Sequence, residues 1–331
     1  VSIPNVQGTI RAVRDGQFVI GGTEGKNNGS YIQLGNLWAI NLDPAKGDIG
    51  SLLWNMTFTP PQTAPDTVMA GPSTGWNGQA KMVQVDPEDG VFFYWEPITR
   101  KWYCFNLETG QQMWQSEPEH PFNFYSLNAG GITTCTNIYQ GKLFSAGYGG
   151  VLMAYDIQTG NVLWNYTASN VGDESPYGNY PLGIGVVADG KIYLGSGEHS
   201  PSQPLWRGSC IRCIDANTGA ELWKMSHWGI YLHGDHTGSK LALGDGYLVG
   251  LNLYDNRIYC YGKGSSSTTV SAPQTNPPLG SSVTITGIVT DQTPSGRINA
   301  AGSTDFTLQG TPAISDASME AWMEYMFQQR P

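Results

Sequence analysis

The chain has 331 residues, of which 40% are hydrophobic, 11% aromatic and only 13% charged, and it contains 43 Gly and 20 Pro. This composition favours an all-β protein with many turns, large enough for one or two domains and of a kind common outside the cell. The net charge of −10 argues against nucleic acid or an anionic membrane as a partner, and no apolar run is long enough to span a bilayer.

Five tight turns between apolar runs punctuate the chain from its N-terminal end. They are Asp15-Gly16, Asp89-Gly90, Gln140-Gly141, Asp189-Gly190 and Asp245-Gly246. An Asp-Gly pair favours a two-residue type I′ hairpin, in which both central residues have positive φ. The first interval is 74 residues and the later ones are 51, 49 and 56, a period typical of four-stranded propeller blades.

A second motif follows these turns and recurs almost position for position. Its copies are WYCFNLETGQQMW (102–114), LMAYDIQTGNVLW (152–164) and IRCIDANTGAELW (211–223), with a looser copy at 37–54 and a final one, RIYCYGKG, at 257–264. The final copy lacks the Thr-Gly corner and the Trp. Each unit is interpreted as strands A and B joined by the tight turn, and strands C and D joined by the corner. The corner Asp is expected to accept hydrogen bonds from backbone N–H groups, with the Gly in a left-handed conformation.

Each complete copy ends in a tryptophan on strand D. These residues are Trp54, Trp114, Trp164 and Trp223. A large flat side chain at this position is expected to dock on the neighbouring blade and bury area that one blade cannot bury alone. Cys104, Cys213 and Cys260 align on strand C with Ala39 and Ala154, which indicates a small buried side chain there.

These copies resemble the repeats of the pyrroloquinoline-quinone (PQQ) type β-propeller superfamily, over roughly residues 9–264. Within it the chain is most similar to archaeal secreted PQQ-like proteins, on the segments 197–208 and 311–325. The resemblance implies an all-β fold of four-stranded blades. Such propellers usually close with seven or eight blades, whereas five repeats are visible, so the ring is either smaller or completed by residues elsewhere or by another chain.

The chain departs from the quinoprotein dehydrogenases of this superfamily. Those enzymes commonly carry an adjacent Cys-Cys pair, a Trp below the quinone and a calcium site of Glu, Asn and Asp. No Cys-Cys pair, no haem C-x-x-C-H motif and no attributable Asp base occur in this sequence. PQQ is therefore not expected as a cofactor, and no other cofactor is assigned.

The long insertions fall in B–C and D–A loops, which share one face of a propeller, and this arrangement favours a binding face. Two of these loops contain a cluster of imidazoles and a carboxylate: His199, His233, Asp235 and His236. Such side chains can bind calcium or another divalent ion. The alternative is that they cap turns, because their spacing matches no helical metal motif.

Cysteines and glycosylation motifs bear on the compartment. Cys135 on strand A of the third blade could meet Cys104 of the preceding blade, but buried free thiols are the favoured interpretation. Three N-x-[ST] sequons begin at Asn28, Asn55 and Asn165. They favour a glycoprotein that is secreted or located in the cell envelope.

The chain changes character after Gly264. Residues 1–264 are assigned to the blades, 265–282 to an edge strand and a Pro-rich linker, and 283–331 to a tail with one strand and an amphipathic helix. On that helix Met319, Trp322, Met323, Met326 and Phe327 form one apolar face, with Ser315 or Asp316 as N-cap. The face is expected to pack on the propeller, or on a partner.

The sequence thus predicts a β-propeller that acts as a non-enzymatic scaffold for a protein partner or for self-assembly. Two alternatives stay open: a fragment of a PQQ- and calcium-dependent oxidoreductase, and a structural subunit of an extracellular polymer. Whether the protein is an enzyme is left undecided, with a non-enzymatic role favoured.

Overall fold

A computed structural model of the chain confirms the all-β class. It describes residues 4–23, 26–27, 32–33, 35–58, 81–96, 99–123, 135–168, 179–196, 207–229, 241–293 and 310–327. These residues form antiparallel sheets of three or four strands, a two-stranded hairpin and one α-helix. In the part of the chain that the structure describes, no helix has the length and apolarity required to cross a bilayer.

The first blade is a four-stranded sheet with a small hairpin in its B–C loop. Its strands, in sheet order, are β1 (Thr9–Arg14), β2 (Phe18–Thr23), β5 (Gly35–Asn41) and β6 (Leu52–Phe58). The hairpin consists of β3 (Lys26–Asn27) and β4 (Ile32–Gln33). A single 3₁₀ turn at Pro44–Lys46 lengthens the C–D corner.

Three further blades repeat this order without a crossover. Blade 2 contains β7 (Lys81–Asp86), β8 (Val91–Glu96), β9 (Lys101–Asn106) and β10 (Gln112–Gln115). Blade 3 contains β11 (Thr136–Tyr139), β12 (Lys142–Ser145), β13 (Val151–Asp156) and β14 (Val162–Thr167). Blade 4 contains β15 (Gly183–Ala188), β16 (Lys191–Gly195), β17 (Cys210–Asp215) and β18 (Glu221–Ser226).

The remaining elements are two three-stranded sheets and the helix. The fifth sheet comprises β19 (Leu241–Gly244), β20 (Tyr247–Asn252) and β21 (Arg257–Tyr261), and the C-terminal sheet comprises β22 (Ser266–Ser271), β23 (Thr286–Asp291) and β24 (Thr311–Pro312). The helix α1 spans Asp316–Met326. The chain divides into two compact units, Val1–Ala242 with Leu251–Arg257, and Leu243–Gly250 with Ile258–Pro331.

Strand register places two rows of side chains on each blade, one on either face. Directly paired residues of an antiparallel sheet share a face. We call the row that faces the next blade in chain order the forward row and the row that faces the preceding blade the backward row. The forward rows are Ala12, Ile20, Ala39 and Trp54 in blade 1; Gln84, Phe93, Cys104 and Trp114 in blade 2; Asn137, Phe144, Ala154 and Trp164 in blade 3; and Val186, Tyr193, Cys213 and Trp223 in blade 4.

The backward rows carry the complementary apolar surface. They are Val13, Val19, Ile40 and Leu52 in blade 1; Val85, Phe92, Phe105 and Gln112 in blade 2; Ile138, Leu143, Tyr155 and Val162 in blade 3; and Val187, Ile192, Ile214 and Glu221 in blade 4. Each of three apolar cores combines one forward row with the backward row of the next blade. The cores of this unit therefore lie between blades, whereas the hydrogen-bonded ladders lie within them.

The C–D corners are closed by one repeated set of hydrogen bonds. In blade 3, Asp156 Oδ1 accepts from the backbone N–H of Thr159 at 2.8 Å and from its hydroxyl at 2.7 Å, and the N–H of Gly160 donates to the Asp156 carbonyl. Blades 2 and 4 repeat these bonds from Asn106 and Asp215. The corner Gly has a φ of 69–74° in all three.

The strand D tryptophans contact the corners of the next blade. The Trp54 indole N–H donates to the Leu107 carbonyl at 2.9 Å, and the Trp114 indole N–H donates to the Ile157 carbonyl at 3.0 Å. A Cβ built on Gly110, Gly160 or Gly219 would lie 2.5–2.7 Å from the ring of Trp54, Trp114 or Trp164 respectively. Trp223 contacts Tyr193 of its own sheet, with 6.0 Å between ring centroids.

The tight turns divide into two kinds. At 140–141, 189–190 and 245–246 both residues have positive φ, as a type I′ turn requires. At 15–16 and 89–90 only the Gly has positive φ, so the expected type I′ geometry is wrong there. The connections β1–β2 and β7–β8 are longer than two residues, and one left-handed residue suffices to reverse them.

The C-terminal region differs from the expectation in two ways. The tail contains two strands, β23 and β24, where one was expected, and β23 pairs with β22 and β24 in one sheet. On α1, Met323 is buried and Met319 and Phe327 are half-buried, but Trp322 and Met326 are exposed. Only part of the predicted apolar face is covered, because Phe327 packs on Tyr259 through one side of the helix.

Candidate binding groove

A groove lies between blades 2 and 3 because strand D of blade 2 is short. Strand β10 has four residues, whereas β14 and β18 have six and β6 has seven. After Gln115 the chain leaves the sheet as the segment 116–123 instead of continuing along the blade. Residues 115–120 and 123 of this region line the groove together with Val151, Met153 and Tyr155 of β13.

This groove encloses about 520 Å³ and is lined by apolar and polar side chains. The apolar ones include Val151, Met153 and Val162, and the polar ones include Gln115, Glu117, His120, Thr159 and Asn161. No Lys or Arg is among the lining residues, which include two glutamates. The groove is therefore suited to a group that carries aliphatic surface and hydrogen-bond donors.

The groove is also lined by Glu119, whose carboxylate is buried and receives four hydrogen bonds. Its Oε1 accepts from the Trp102 indole N–H and from the Tyr155 hydroxyl, both at 2.9 Å. Its Oε2 accepts from the Asn123 amide at 2.8 Å and from the Ser145 hydroxyl at 3.0 Å. These partners come from both blades and from the connecting segment, so the carboxylate ties three parts of the chain together.

Burial dominates the acid–base behaviour of this network. It raises the pKa of Glu119 above its ordinary value, although the four donors act in the opposite direction. The pKa of Tyr155 is also raised, first by burial and then by the neighbouring Glu119. Because every carboxylate bond is made within the protein, Glu119 holds the groove in shape and is not placed as a base for a ligand in this arrangement.

The segment that carries Glu119 is fixed at both ends. The Glu119 N–H donates to the Arg100 carbonyl at 2.8 Å, and Arg100 Nε donates to the Glu119 carbonyl at 3.2 Å. The Asn123 side chain accepts from the Gly149 N–H at 3.0 Å. A Cβ on Gly149 would lie 2.5 Å from His120, so only Gly fits beneath this segment. Burial, together with the charge of Arg100, lowers the pKa of His120.

No sequence motif predicts this site. The segment 116–131 stood out only as an insertion after a Trp-bearing strand. The four donors to Glu119 are separated from it by between 4 and 36 positions and lie on different elements. A short sequence motif cannot predict such an arrangement.

The predicted metal ligands His199, His233, Asp235 and His236 lie outside the described residues. His227, which precedes three of them in the sequence, is described and buried, and burial lowers its pKa to about 4. Within the described ranges, no three His, Cys, Asp or Glu side chains are grouped so that they could hold a metal ion. The metal site stays a prediction.

Two of the three sequons fall on described strands. Asn55 on β6 and Asn165 on β14 are exposed, and Asn55 accepts a hydrogen bond from Asn36 at 2.6 Å. Asn28 lies outside the described residues. Both described sites are on the D strands, at the outer edge of their sheets.

None of the five cysteines forms a disulfide. Cys104 and Cys135 share one apolar core without a disulfide, and burial raises the pKa of Cys104 to about 12. Cys260 is exposed, although it aligns with buried residues of strand C. The expectation of a buried side chain at this position is therefore wrong for the fifth sheet.

Comparison with known families gives a match to part of the chain. Residues 99–194 match the family model for outer membrane protein assembly factor BamB, a PQQ-type repeat family. This range runs from strand C of blade 2 to strand B of blade 4. The match supports a PQQ-type repeat here. No curated protein sequence matches the chain.

Solved structures show distant likenesses. BamB from Moraxella catarrhalis is 14% identical with a TM-score of 0.43, over 77% of this chain and 60% of that protein. The quinohemoprotein alcohol dehydrogenase ADHIIG from Pseudomonas putida HK5 is 14% identical with a TM-score of 0.42, over 81% and 43%. This chain therefore spans about 60% of BamB and less than half of the dehydrogenase. The blade assignment rests on the sheets and their packing, not on these likenesses.

Proposed function

We propose that the protein is a non-enzymatic binding and assembly scaffold that acts outside the cell or in its envelope. The observation that carries this proposal is the apolar surface of the C-terminal sheet. Val270 and Val289 share one face of this sheet and are 74% and 46% exposed, and Ile288 on the opposite face is 62% exposed. All three lie on regular, hydrogen-bonded strands. Exposed apolar side chains on ordered strands favour an interaction surface.

The helix α1 of the same unit also exposes apolar and aromatic side chains. Trp322, Tyr325 and Met326 are exposed, and aromatic and methionine side chains are enriched in protein interfaces. The partial match to the BamB family supports a protein-interaction role. An envelope or extracellular location is part of the proposal, as is glycosylation at the exposed Asn55 and Asn165. A relation to archaeal secreted proteins stays a prediction.

The groove supports binding more than catalysis. Its buried carboxylate is committed to four internal hydrogen bonds, while its other apolar and polar lining residues offer contacts to a bound group. Neither PQQ nor any other cofactor is part of the proposed role. A calcium or other divalent ion in the loops containing His199 and His233 is compatible with a structural role.

The alternative is a fragment of a PQQ- and calcium-dependent oxidoreductase. One experiment distinguishes it from the scaffold proposal. The purified full chain is incubated with PQQ and calcium, the free quinone is removed, and the visible spectrum and alcohol-dependent reduction of a dye are recorded. The scaffold proposal expects no retained quinone and no dye reduction. Stoichiometric quinone together with alcohol-dependent turnover would overturn it.

A further inference from the structure

The backward face of the first blade is less covered than the same face of the other blades. Val19 on strand B is half-buried, whereas its counterparts Phe92, Leu143 and Ile192 are fully buried. Val13 on strand A is 57% exposed, whereas its counterparts Ile138 and Val187 are half-buried. The other two members do not differ in this way: Ile40 is buried, and Leu52 is 41% exposed, much like Val162 of blade 3 at 50%. All four side chains of this row are nevertheless aliphatic, and exposed apolar side chains that form a contiguous row indicate an interaction surface.

The corner of this blade also keeps the features that receive a neighbouring blade elsewhere. Gly50 has a φ of 92°, and its N–H donates to the Asn41 carbonyl at 2.8 Å, as Gly160 does to Asp156 at 2.9 Å. Leu42 follows Asn41, just as Ile157 follows Asp156. The Ile157 carbonyl accepts the indole N–H of the preceding blade. The first blade therefore has an equivalent acceptor position at Leu42.

At the other end of the described series, the fifth sheet exposes its forward face. Ile258 is 76% exposed and Cys260 is exposed, and the two side chains share a face because they are two residues apart on β21. Cys260 aligns with Cys104 and Cys213 on strand C, which lie on forward faces and are fully buried. The fifth sheet thus presents the kind of face that elsewhere contacts a backward row.

We propose that the backward face of the first blade binds the fifth sheet of a second copy of this chain. The proposal rests on the assembly role given above and names its partner. At all three interfaces between described blades, a forward face meets a backward face. A head-to-tail contact between copies repeats this pairing. Because the contact joins different surfaces, it generates either a closed ring or an open chain of copies.

The internal interfaces predict where a cross-link between copies should form. Cys104 Sγ lies 3.8 Å from the Ile157 carbonyl of the next blade. By the same correspondence, Cys260 of one copy should lie beside Leu42 of the other. The variant Leu42→Cys, mildly oxidised with the native Cys260 in place, should therefore give disulfide-linked species larger than a monomer on a non-reducing gel.

Three matched variants test the specificity of this cross-link. Leu42→Cys with Cys260→Ser should form no linked species; a link that persists would show two identical faces pairing and overturn the proposal. Leu222→Cys, an exposed apolar position on the D strand of blade 4, should give no link. A fast-migrating, intramolecularly linked monomer of Leu42→Cys would place the contact within one copy and also overturn it.

The unmodified chain provides a second measurement. Its mass in sedimentation equilibrium should rise above the monomer mass with concentration. Val13→Glu should raise the dissociation constant about tenfold or more, because it buries an unpaired carboxylate at the contact. Leu163→Glu, at a position 47% exposed on β14, should leave the constant unchanged. The contact would be refuted if wild type were a monomer at every soluble concentration, or if Val13→Glu and Leu163→Glu had equal effects on the dissociation constant. Neither outcome would change the result of the quinone experiment.

Discussion

The packing of a corner glycine against a tryptophan can be tested by comparing two glycines with the same backbone conformation. Gly160 has a φ of 73° and Gly141 a φ of 70°. A Cβ at Gly160 would lie 2.5 Å from the Trp114 ring, whereas a Cβ at Gly141 would meet nothing within 4 Å. Both alanine variants force a side chain into the left-handed region, but only Gly160→Ala also disturbs an interface between blades.

The magnitudes follow from these two effects. A left-handed alanine costs about 1–2 kcal/mol, and this is the whole cost expected for Gly141→Ala. At Gly160 the Trp114 ring must move, although it is 8% exposed and its N–H bonds to the Ile157 carbonyl. Overpacking of this kind adds about 1–3 kcal/mol. Gly160→Ala should therefore lower the free energy of unfolding by about 2–5 kcal/mol.

Urea unfolding followed by circular dichroism measures both variants, with m-values compared to ensure that the same transition is observed. The decisive control is Gly160→Ala in a Trp114→Ala background. Once the ring is removed, the second substitution should cost only the backbone strain of about 1–2 kcal/mol. Equal stabilities of Gly141→Ala and Gly160→Ala, or an extra cost that persists without the ring, would refute the proposed packing.

Two buried groups predict opposite responses to pH. Glu119→Gln should lower the free energy of unfolding by about 2–4 kcal/mol, because an amide nitrogen then faces donors. Because burial raises the pKa of Glu119, the stabilisation that follows from this shift is fully present below about pH 4.3, and it is lost as pH rises through the folded-state pKa. The free energy of unfolding of wild type should therefore fall over this range, and that of Glu119→Gln should not. The pKa of His227 is lowered to about 4, so its protonation favours the unfolded state. As pH falls from about 6.5 to about 4, the free energy of unfolding of wild type should decrease by up to about 3 kcal/mol, and this decrease should be absent in His227→Gln. Urea midpoints across a pH series measure both effects; variant profiles parallel to wild type would contradict them.

The corners could be predicted from sequence because their bonds are local. The side chain of Asp156 reaches only to Thr159, and the Gly160 bond returns to Asp156 itself, so a short motif contains the whole structure. The repetition of that motif then predicted the blades. The type I′ geometry predicted for the tight turns was wrong at two of the five. An Asp-Gly pair specifies a left-handed Gly, but it does not specify the length of the connection between the strands.

The groove and the exposed surfaces could not be predicted in this way. The donors to Glu119 are brought together by the contact of two blades, which depends on the end of β10 at Gln115. The exposure of Cys260 depends on what covers the fifth sheet, not on strand C itself. Likewise, periodicity placed Trp322 and Met323 on one helical face, but in the structure Met323 is buried and Trp322 is exposed.

The two unlike faces of each blade have a consequence for how such a chain can change in length. Because main-chain pairing is completed inside a blade, the joints between blades are formed by side chains of one kind of surface packing on, and hydrogen bonding to, the other kind. Duplicating the stretch from one tight turn to the next would create a new joint of the same type as the existing ones. Removing such a stretch would likewise bring two compatible surfaces together. Gain or loss of whole repeats is thus tolerated more readily than a one-residue slip within a strand, which would exchange the two surfaces.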